Sequence, residues 1–173
     1  QPWCIREGDN DAPHTLHLRF MVRSEVSVGA VELALEHPQD CSICWNGKQV
    51  PAELAGRYVD RDILRVKLGA LRQGENELLV TMPFGRKTDV ENMMLLGDFG
   101  VRVSGDEAIV TAPIRHMHFA DWTTQGLPFY GGTVTYHIEI QGRGKPVKVA
   151  LTKFRAPVIA VDLDGRRQGV IAI

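Results

Sequence analysis

The sequence predicts an all-β protein, a jelly-roll β-sandwich followed by a second, partial sandwich repeat at the C-terminal end. Two observations predict this class. Short apolar runs are separated by Gly, Pro, Asn and Asp at the spacing typical of a sandwich or barrel. Several of these runs also recur in the same order further along the chain. We expect a sandwich over residues 1–112 and a truncated second copy, able to dock on the first, over 113–173.

The individual strands are predicted from period-two alternation of apolar and polar side chains, which is the pattern of a strand with one buried face. The clearest case is 16–22, where Leu, Leu, Phe and Val alternate with His, Arg and Met. Further strands are predicted within 31–35, 63–68, 78–82, 101–103, 109–111, 134–140, 147–151 and 158–163. The one helical turn that we expect lies around Asp89–Leu95 and would end at Gly97.

Three segments of the first half have counterparts in the second half at an offset near 118 residues. Each set is a strand, a second strand, and a third strand that ends in an Asn-Gly or Asp-Gly turn, the dipeptides favoured in tight hairpins. The pairs are 15–20 with 135–140, 31–35 with 147–151, and 44–48 with 162–166. A chance likeness between amphipathic strands is the alternative. Because the second set stops soon after its turn, we expect the natural polypeptide to continue.

Charge and hydropathy argue against two classes of partner. The 173 residues carry 20 Lys and Arg against 21 Asp and Glu, which gives no strong field to attract nucleic acid or anionic lipid. No apolar run approaches the roughly 20 residues of a membrane span, and the amino end does not resemble a signal peptide. We therefore expect neither nucleic acid nor membrane as a partner, and the compartment, cytoplasm or secretion, stays open.

The three cysteines argue against a disulfide framework, since an odd number cannot pair completely. Cys41 and Cys44 form a C-x-x-C. A zinc site needs a second pair of ligands at similar spacing, and a redox motif needs its second cysteine to enter a helix. Cys44 instead precedes Trp45 and an Asn-Gly turn, so we interpret both cysteines as structural or incidental.

The order of motifs resembles a known family. Trp45–Gly47, Asp62–Leu64 and Gly74–Val80 stand where the galactose-binding-like sandwich of glycoside hydrolase family 2 enzymes has its V-N-G hairpin, D-I-T strand and G-x-N-x-L-x-V strand. Leu96–Val101 and Asp121–Gly132 resemble, more specifically, accessory carboxy-terminal regions of bacterial α-L-rhamnosidase-like proteins. The second copy departs from the pattern because it has no G-x-N strand.

This resemblance implies a non-catalytic ancillary module of a larger glycoside hydrolase, needing no cofactor. Its expected partner is the catalytic domain of the parent polypeptide, and an oligosaccharide is a second candidate. Such modules range from packing against a catalytic barrel to contributing a carbohydrate subsite, and the fold alone does not choose between these roles.

The loop Asp121–Gly132, which is rich in aromatic residues, provides the candidate carbohydrate site. Flat rings can stack on pyranose faces while neighbouring polar groups bind hydroxyls. Trp122 and Tyr130 are the stacking candidates, and Asp121 and Gln125 are the candidate hydroxyl partners. The preferred alternative is that Trp122, Phe129 and Tyr130 fill the space between two sandwiches or an interface between domains.

Catalytic and metal-binding patterns are weak. Glycoside hydrolysis uses two carboxyl groups about 5 to 10 Å apart, and no spacing singles out a pair among Asp60, Asp62, Asp98, Asp106, Glu107 and Asp121. His116 and His118 form an H-x-H on a predicted strand, which would place both rings on one face and could bind zinc. A histidine pair without metal is the preferred interpretation.

Three hypotheses remain. The first is the ancillary module of a glycosidase, which we prefer; the second is a carbohydrate-binding module; the third is a small metal-dependent enzyme of cupin-like shape. No G-x-S-x-G elbow, P-loop or G-x-G-x-x-G occurs in the sequence. We therefore expect no catalytic residues in this chain on its own.

Overall fold

The computed structural model describes residues 14–51, 53–141, 144, 146 and 148–172. The predicted all-β class is confirmed. The strands are β1 His14–Ser24, β2 Val28–Glu36, β3 Ser42–Trp45, β4 Lys48–Val50, β5 Leu54–Tyr58, β6 Asp60–Leu71, β7 Gly74–Phe84, β8 Met94–Gly97, β9 Gly100–Ser104, β10 Glu107–Thr111, β11 Val158–Leu163 and β12 Arg166–Ala172. Short 3-10 turns lie at Pro38–Asp40 and Trp122–Gln125. Within the described ranges, no helix has the length and apolar character to cross a membrane.

The chain divides into two compact units, Gln1–Val134 and Thr135–Ile173. The first unit contains a six-stranded sheet in the order β4-β3-β7-β1-β10-β9 and a four-stranded sheet in the order β5-β6-β2-β8. The longest ladder joins β1 and β7 as antiparallel neighbours, from His14 opposite Phe84 to Ser24 opposite Gly74. Whether 112/113 separates two domains stays a prediction.

The two sheets of the first unit enclose one hydrophobic core. The six-stranded sheet contributes Ile43, Trp45, Val50, Leu78, Val80 and Val110, and the four-stranded sheet contributes Val31, Leu33, Leu35, Val66, Leu68 and Leu71. Because both sets belong to one packed cluster, the sheets lie face to face, as in a β-sandwich. Each fully buried aliphatic side chain stabilises the fold by roughly 1.5–3 kcal/mol relative to its exposed state. The jelly-roll connection pattern stays a prediction.

Polar side chains hold the turns at one end of this sandwich. The Trp45 indole N–H donates to the Ala70 carbonyl oxygen at 2.9 Å, which links the two sheets. The next residues, Asn46 and Gly47, have φ of 51° and 77°, so the predicted Asn-Gly hairpin turn is confirmed. The side chain of Asn76, which is only 1% exposed, accepts from the Arg72 N–H at 3.0 Å and donates to the Arg72 carbonyl at 2.7 Å.

Local predictions failed in two places of the first unit. The helical turn expected around Asp89–Leu95 is wrong, because Met94–Gly97 forms strand β8 and pairs with β2. The periodicity of a short apolar run fits a helix and a strand equally well. Here the segment forms a strand because it can pair with the free edge of β2. The strand expected at His116 and His118 is also not formed, since 112–118 is irregular chain.

The second unit forms fewer strands than its alternating pattern predicts. Residues 134–141 and 148–151 form no strand, and Val147 lies outside the described residues. Alternation shows which side chains could share a face, but a strand also needs a neighbour for its backbone hydrogen bonds. The hairpin of β11 and β12 does form, with Asp164 and Gly165 at φ of 49° and 75°.

Candidate functional site

Asp121 begins the 3-10 turn of the aromatic loop, which in the structure comprises residues 118–132 of the first unit. Its Oδ1 accepts hydrogen bonds from the Thr123 N–H at 2.9 Å and from the Thr123 hydroxyl at 2.7 Å. The Asp121 carbonyl accepts from the Thr124 hydroxyl at 2.9 Å. These bonds are those of an N-terminal cap, so this carboxylate holds the turn in place.

Gln125 uses its whole amide group inside the loop. Its Oε1 accepts from the His118 N–H at 2.7 Å, and its Nε2 donates to the His118 carbonyl at 3.2 Å. The same Nε2 also lies 3.2 Å from the Asp121 carbonyl. The side chain thus pairs with the backbone of His118 much as a neighbouring strand would, and a sugar hydroxyl would have to compete for these atoms.

Gly126 attaches the loop to the edge of the six-stranded sheet. Its carbonyl accepts from the Val101 N–H of β9 at 2.7 Å. Its φ of +97° is left-handed, which favours glycine. A Cβ at this position would also come close to the Ile114 side chain, which would have to move. The loop therefore has a fixed backbone that is bound to the sandwich.

The rings on this fixed loop differ in exposure. Trp122 is half-buried, whereas Phe119 is 62% exposed, Phe129 73% and Tyr130 46%. The Tyr130 hydroxyl donates to the Thr133 carbonyl at 3.2 Å. Of the two predicted stacking residues, Tyr130 is thus more accessible than Trp122. Phe119 was missed by sequence reasoning, and its only signal is an aromatic residue directly after the H-x-H.

The histidine pair has few features of a metal centre. His116 and His118 are both exposed on irregular chain, and the bonds that Gln125 makes to His118 use its backbone. Among the described residues, no group of three or more His, Cys, Asp or Glu is arranged to hold a metal ion. A pair of ligands alone is too few for a structural or catalytic zinc site.

Several of the acidic residues considered above serve local structure. Asp60 accepts from the Asp62 N–H at 3.1 Å, the bond of a turn. Asp98 pairs with Arg115 at 3.3 Å, and both side chains are largely exposed. These contacts agree with the interpretation of the carboxylates as turn and surface groups.

Sequence reasoning missed an open cleft of about 430 Å³ at one end of the first unit. Leu35, Met82 and Met93 supply apolar surface to it. Its polar lining is mainly acidic and comprises Glu36, His37, Asp40, Lys87, Asp89 and Glu91. The sequence signal was weak, because these residues come from two loops about 50 positions apart.

Two residues that line this cleft have unusual properties, His37 in its backbone angle and Cys41 in the pKa of its thiol. His37 has φ of 48°, an uncommon backbone conformation for a residue other than glycine. Cys41 lies against it, with its thiol 3.5 Å from the His37 carbonyl oxygen. Burial, and secondly the charge of Asp40, raises the pKa of the Cys41 thiol above its ordinary value. Cys41 and Cys44 are both free thiols, and the raised pKa of Cys41 favours its neutral form.

Comparison of the chain with protein-family models, with curated proteins and with solved structures finds no match. Function is therefore inferred from the chain's own residues.

Proposed function

We propose that this chain is a non-catalytic ancillary module of a larger glycoside hydrolase, of the family 2-like or α-L-rhamnosidase-like kind, and that it supports the catalytic domain. One observation carries the proposal. The aromatic loop has a backbone fixed by its own side chains, yet it holds Phe119 and Phe129 more than half exposed.

A fixed loop with exposed rings suits a contact with another domain. Aromatic rings bury a large area at low entropic cost, and a loop that is already ordered loses little further freedom on docking. The polar groups that a sugar site would need are instead engaged within the loop, above all the amide of Gln125. This balance favours packing over sugar recognition.

The motifs that carry the family resemblance support the same proposal. The W-N-G hairpin and the G-E-N turn are hydrogen-bonded partners, since the Asn46 amide donates to the Asn76 side chain at 2.9 Å. Two motifs that are separate in sequence thus serve one structural purpose in the sandwich. A stable sandwich of this kind is the scaffold that an ancillary role requires.

The test uses the natural polypeptide that carries this sequence. We expect it to release nitrophenol from a panel of aryl glycosides that includes an α-L-rhamnoside and a β-galactoside. A Phe119→Ser/Phe129→Ser variant should lower the melting temperature of the catalytic domain without changing KM. Phe84→Ser, at another exposed phenylalanine of the sandwich, is the matched control. Absence of glycosidase activity over the whole panel would overturn the proposal.

Carbohydrate binding is the second candidate, and the presence of exposed Tyr130 and half-buried Trp122 on the same loop favours it. Isothermal titration with rhamnose, galactose and plant oligosaccharides tests it directly. Saturable heat that disappears in Trp122→Ala would place a sugar site on the loop. Heat that persists in this variant, or no heat with any sugar, would argue against that site.

A further inference from the structure

Two hairpin turns of this chain contain dipeptides at which a main chain rearranges readily. Asn46 and Gly47 join β3 to β4, Asp164 and Gly165 join β11 to β12, and neither Asn-Gly nor Asp-Gly occurs elsewhere in the sequence. In such a pair, the backbone nitrogen of the glycine can attack the side-chain carbonyl carbon of the residue before it, because glycine has no Cβ to hinder the approach. Both turns are therefore chemical candidates for the same rearrangement.

The two turns have nearly the same backbone geometry. The φ angle is 51° at Asn46 and 77° at Gly47, and it is 49° at Asp164 and 75° at Gly165. In both hairpins, the two strand residues that flank the turn pair with each other. Any influence of these backbone angles on the reaction is therefore common to both turns. A difference in reactivity must come from the surroundings of the two side chains.

The side chain of Asn46 is held in place by two hydrogen bonds to β7. Its Nδ2 donates to Asn76 Oδ1 at 2.9 Å, and its Oδ1 accepts from the Glu77 N–H at 3.0 Å. Asn76 is itself only 1% exposed. Ring closure would bring Cγ of Asn46 to bonding distance of the Gly47 nitrogen, which displaces both side-chain atoms from their partners. Leaving buried polar groups unpaired is costly, so these contacts should slow the reaction at this turn.

The side chain of Asp164 has no comparable restraint. It is exposed, and within the part of the chain that the structure describes it makes no hydrogen bond or ion pair. The nearby carboxylate of Asp162, by contrast, is paired with Arg167 across the hairpin. The Asp164 side chain can therefore approach the Gly165 nitrogen without breaking a contact.

We propose that Asp164 is a site of spontaneous isoaspartate formation that opens the β11–β12 hairpin, whereas Asn46 is protected by its contacts with β7. The Gly165 nitrogen bonds to Asp164 Cγ, and the carboxyl OH leaves with the N–H proton as water, which gives a succinimide. Water then adds to the main-chain carbonyl carbon of Asp164, and the bond from this carbon to the Gly165 nitrogen breaks. The main chain now continues through Cγ, and the mass is unchanged. This proposal does not rest on the proposed function.

The product has a different main chain at the turn. Isoaspartate adds one CH2 group to the backbone between Leu163 and Gly165, whereas a two-residue hairpin turn depends on specific φ angles at both of its residues. β11 and β12 form a two-stranded sheet of their own, and an isolated two-stranded hairpin is at best marginally stable in water. We therefore expect the ladder between β11 and β12 to open when Asp164 rearranges.

The first experiment gives both turns the same leaving group. Asp164→Asn makes a second Asn-Gly pair, and the full chain is incubated at neutral pH, once in native buffer and once in urea. Mass spectrometry of proteolytic fragments follows deamidation at both turns of the same molecule. In native buffer, we expect position 164 to react about tenfold faster or more than Asn46, because only Asn46 must break hydrogen bonds. In urea the two rates should become similar, since unfolding removes the contacts of Asn46.

The second experiment uses the chain without substitutions. After prolonged incubation, electron-transfer fragmentation, which distinguishes isoaspartate from aspartate, should find isoaspartate at Asp164. Asp162, which precedes Leu163 and is paired with Arg167, is the control in the same hairpin. The isolated isoaspartate form should exchange its β11 and β12 amides about tenfold faster or more, with β3 and β4 unchanged.

Three results would each show that the proposal is wrong. The first is equal deamidation at both turns of the folded Asp164→Asn chain. The second is isoaspartate that is absent from Asp164 or equally abundant at Asp162. The third is an isoaspartate form in which β11 and β12 keep their protection from exchange.

Discussion

The side-chain amide of Asn46 donates to Oδ1 of Asn76 at 2.9 Å and joins the β3–β4 hairpin to the turn that begins β7. Asn46 also pairs with Glu77 through backbone and side chain, at 2.8 Å and 3.0 Å. Asn76 in turn holds both backbone polar groups of Arg72. One buried amide therefore organises two turns, and this explains why both short motifs contain asparagine.

Replacing Asn76 by Ala should destabilise the first unit by about 2–3 kcal/mol, because buried backbone groups and the Asn46 amide lose their partner. Urea denaturation followed by circular dichroism measures this change. Ser42→Ala is the control, since the Ser42 hydroxyl makes only exposed hydrogen bonds with Gln49. Equal costs for the two variants would contradict the role assigned to Asn76.

Replacing Trp45 by Phe tests the link between the two sheets. Phe keeps an aromatic ring in the core but removes the N–H that donates to the Ala70 carbonyl. We expect a loss of about 2–4 kcal/mol from the unpaired carbonyl and the smaller ring. Trp122→Phe, at a half-buried site, should cost about 1 kcal/mol or less by the same denaturation measurement. A larger loss in Trp122→Phe would contradict this ranking.

The alternating pattern predicted strands well in the first unit, whereas 134–141 and 148–151 alternate in a similar way and form no strand. The alternation in 16–22 and 31–35 leads to β1 and β2, and the Asn-Gly and Asp-Gly dipeptides lead to the two hairpin turns. It failed around Asp89–Leu95, where an apolar run is compatible with either type of element. The free edge of β2, with which β8 pairs, is created by the tertiary structure and cannot be recognised from a short segment of the sequence.

The role of the candidate site stays a prediction. The aromatic loop was recognised from its composition, but the engagement of Gln125 with the His118 backbone depends on the turn between them. The cleft beside Cys41 could not be predicted from the sequence. Met82 and Met93 are far from Cys41 along the chain, and only the folded sheets bring them to the same cleft. Composition thus identifies a loop, while contacts between distant segments require the fold.

Paired valine substitutions test the contrast between the buried core of the first unit and the exposed side chains of the second unit. Val66 is fully buried and Val149 is 57% exposed. Val66→Ala should cost about 2–3 kcal/mol through lost burial and the cavity that remains. Val149→Ala should change the free energy of unfolding by about 0.5 kcal/mol or less. Thermal or urea unfolding of the two variants makes the comparison, and equal losses would contradict it.

The Cys41 thiol should react slowly at neutral pH, because its raised pKa leaves little thiolate. In a Cys4→Ser/Cys44→Ser variant, the rate of alkylation by iodoacetamide should increase with pH through a midpoint above the ordinary value of about 8.5. Asp40→Asn should lower this midpoint, although not to the ordinary value, since burial is the larger cause.

The raised pKa of Cys41 also makes the free energy of unfolding depend on pH, through proton linkage. The folded state holds the Cys41 proton more tightly than the unfolded state, so the thiol's contribution is fully present below the ordinary pKa. It is lost as pH rises through the raised pKa. Stability of the double variant should therefore fall more steeply on the alkaline side than that of the same variant with Cys41→Ala. Parallel profiles would contradict the raised pKa.

Replacing Gln125 by Ala should loosen the aromatic loop and leave the sandwich intact. The His118 N–H loses its acceptor at 2.7 Å, so its amide exchange should become about tenfold faster or more. The Val101 N–H, which donates to the Gly126 carbonyl, should show a smaller increase. Amides of β1 and β7 should be unchanged, because their ladder contains no loop residue. Thr124→Ala, which removes only one hydroxyl bond to the Asp121 carbonyl, is the control. If His118 exchange is equal in both variants, Gln125 is not what fixes the loop, and its amide would be available to a sugar hydroxyl after all.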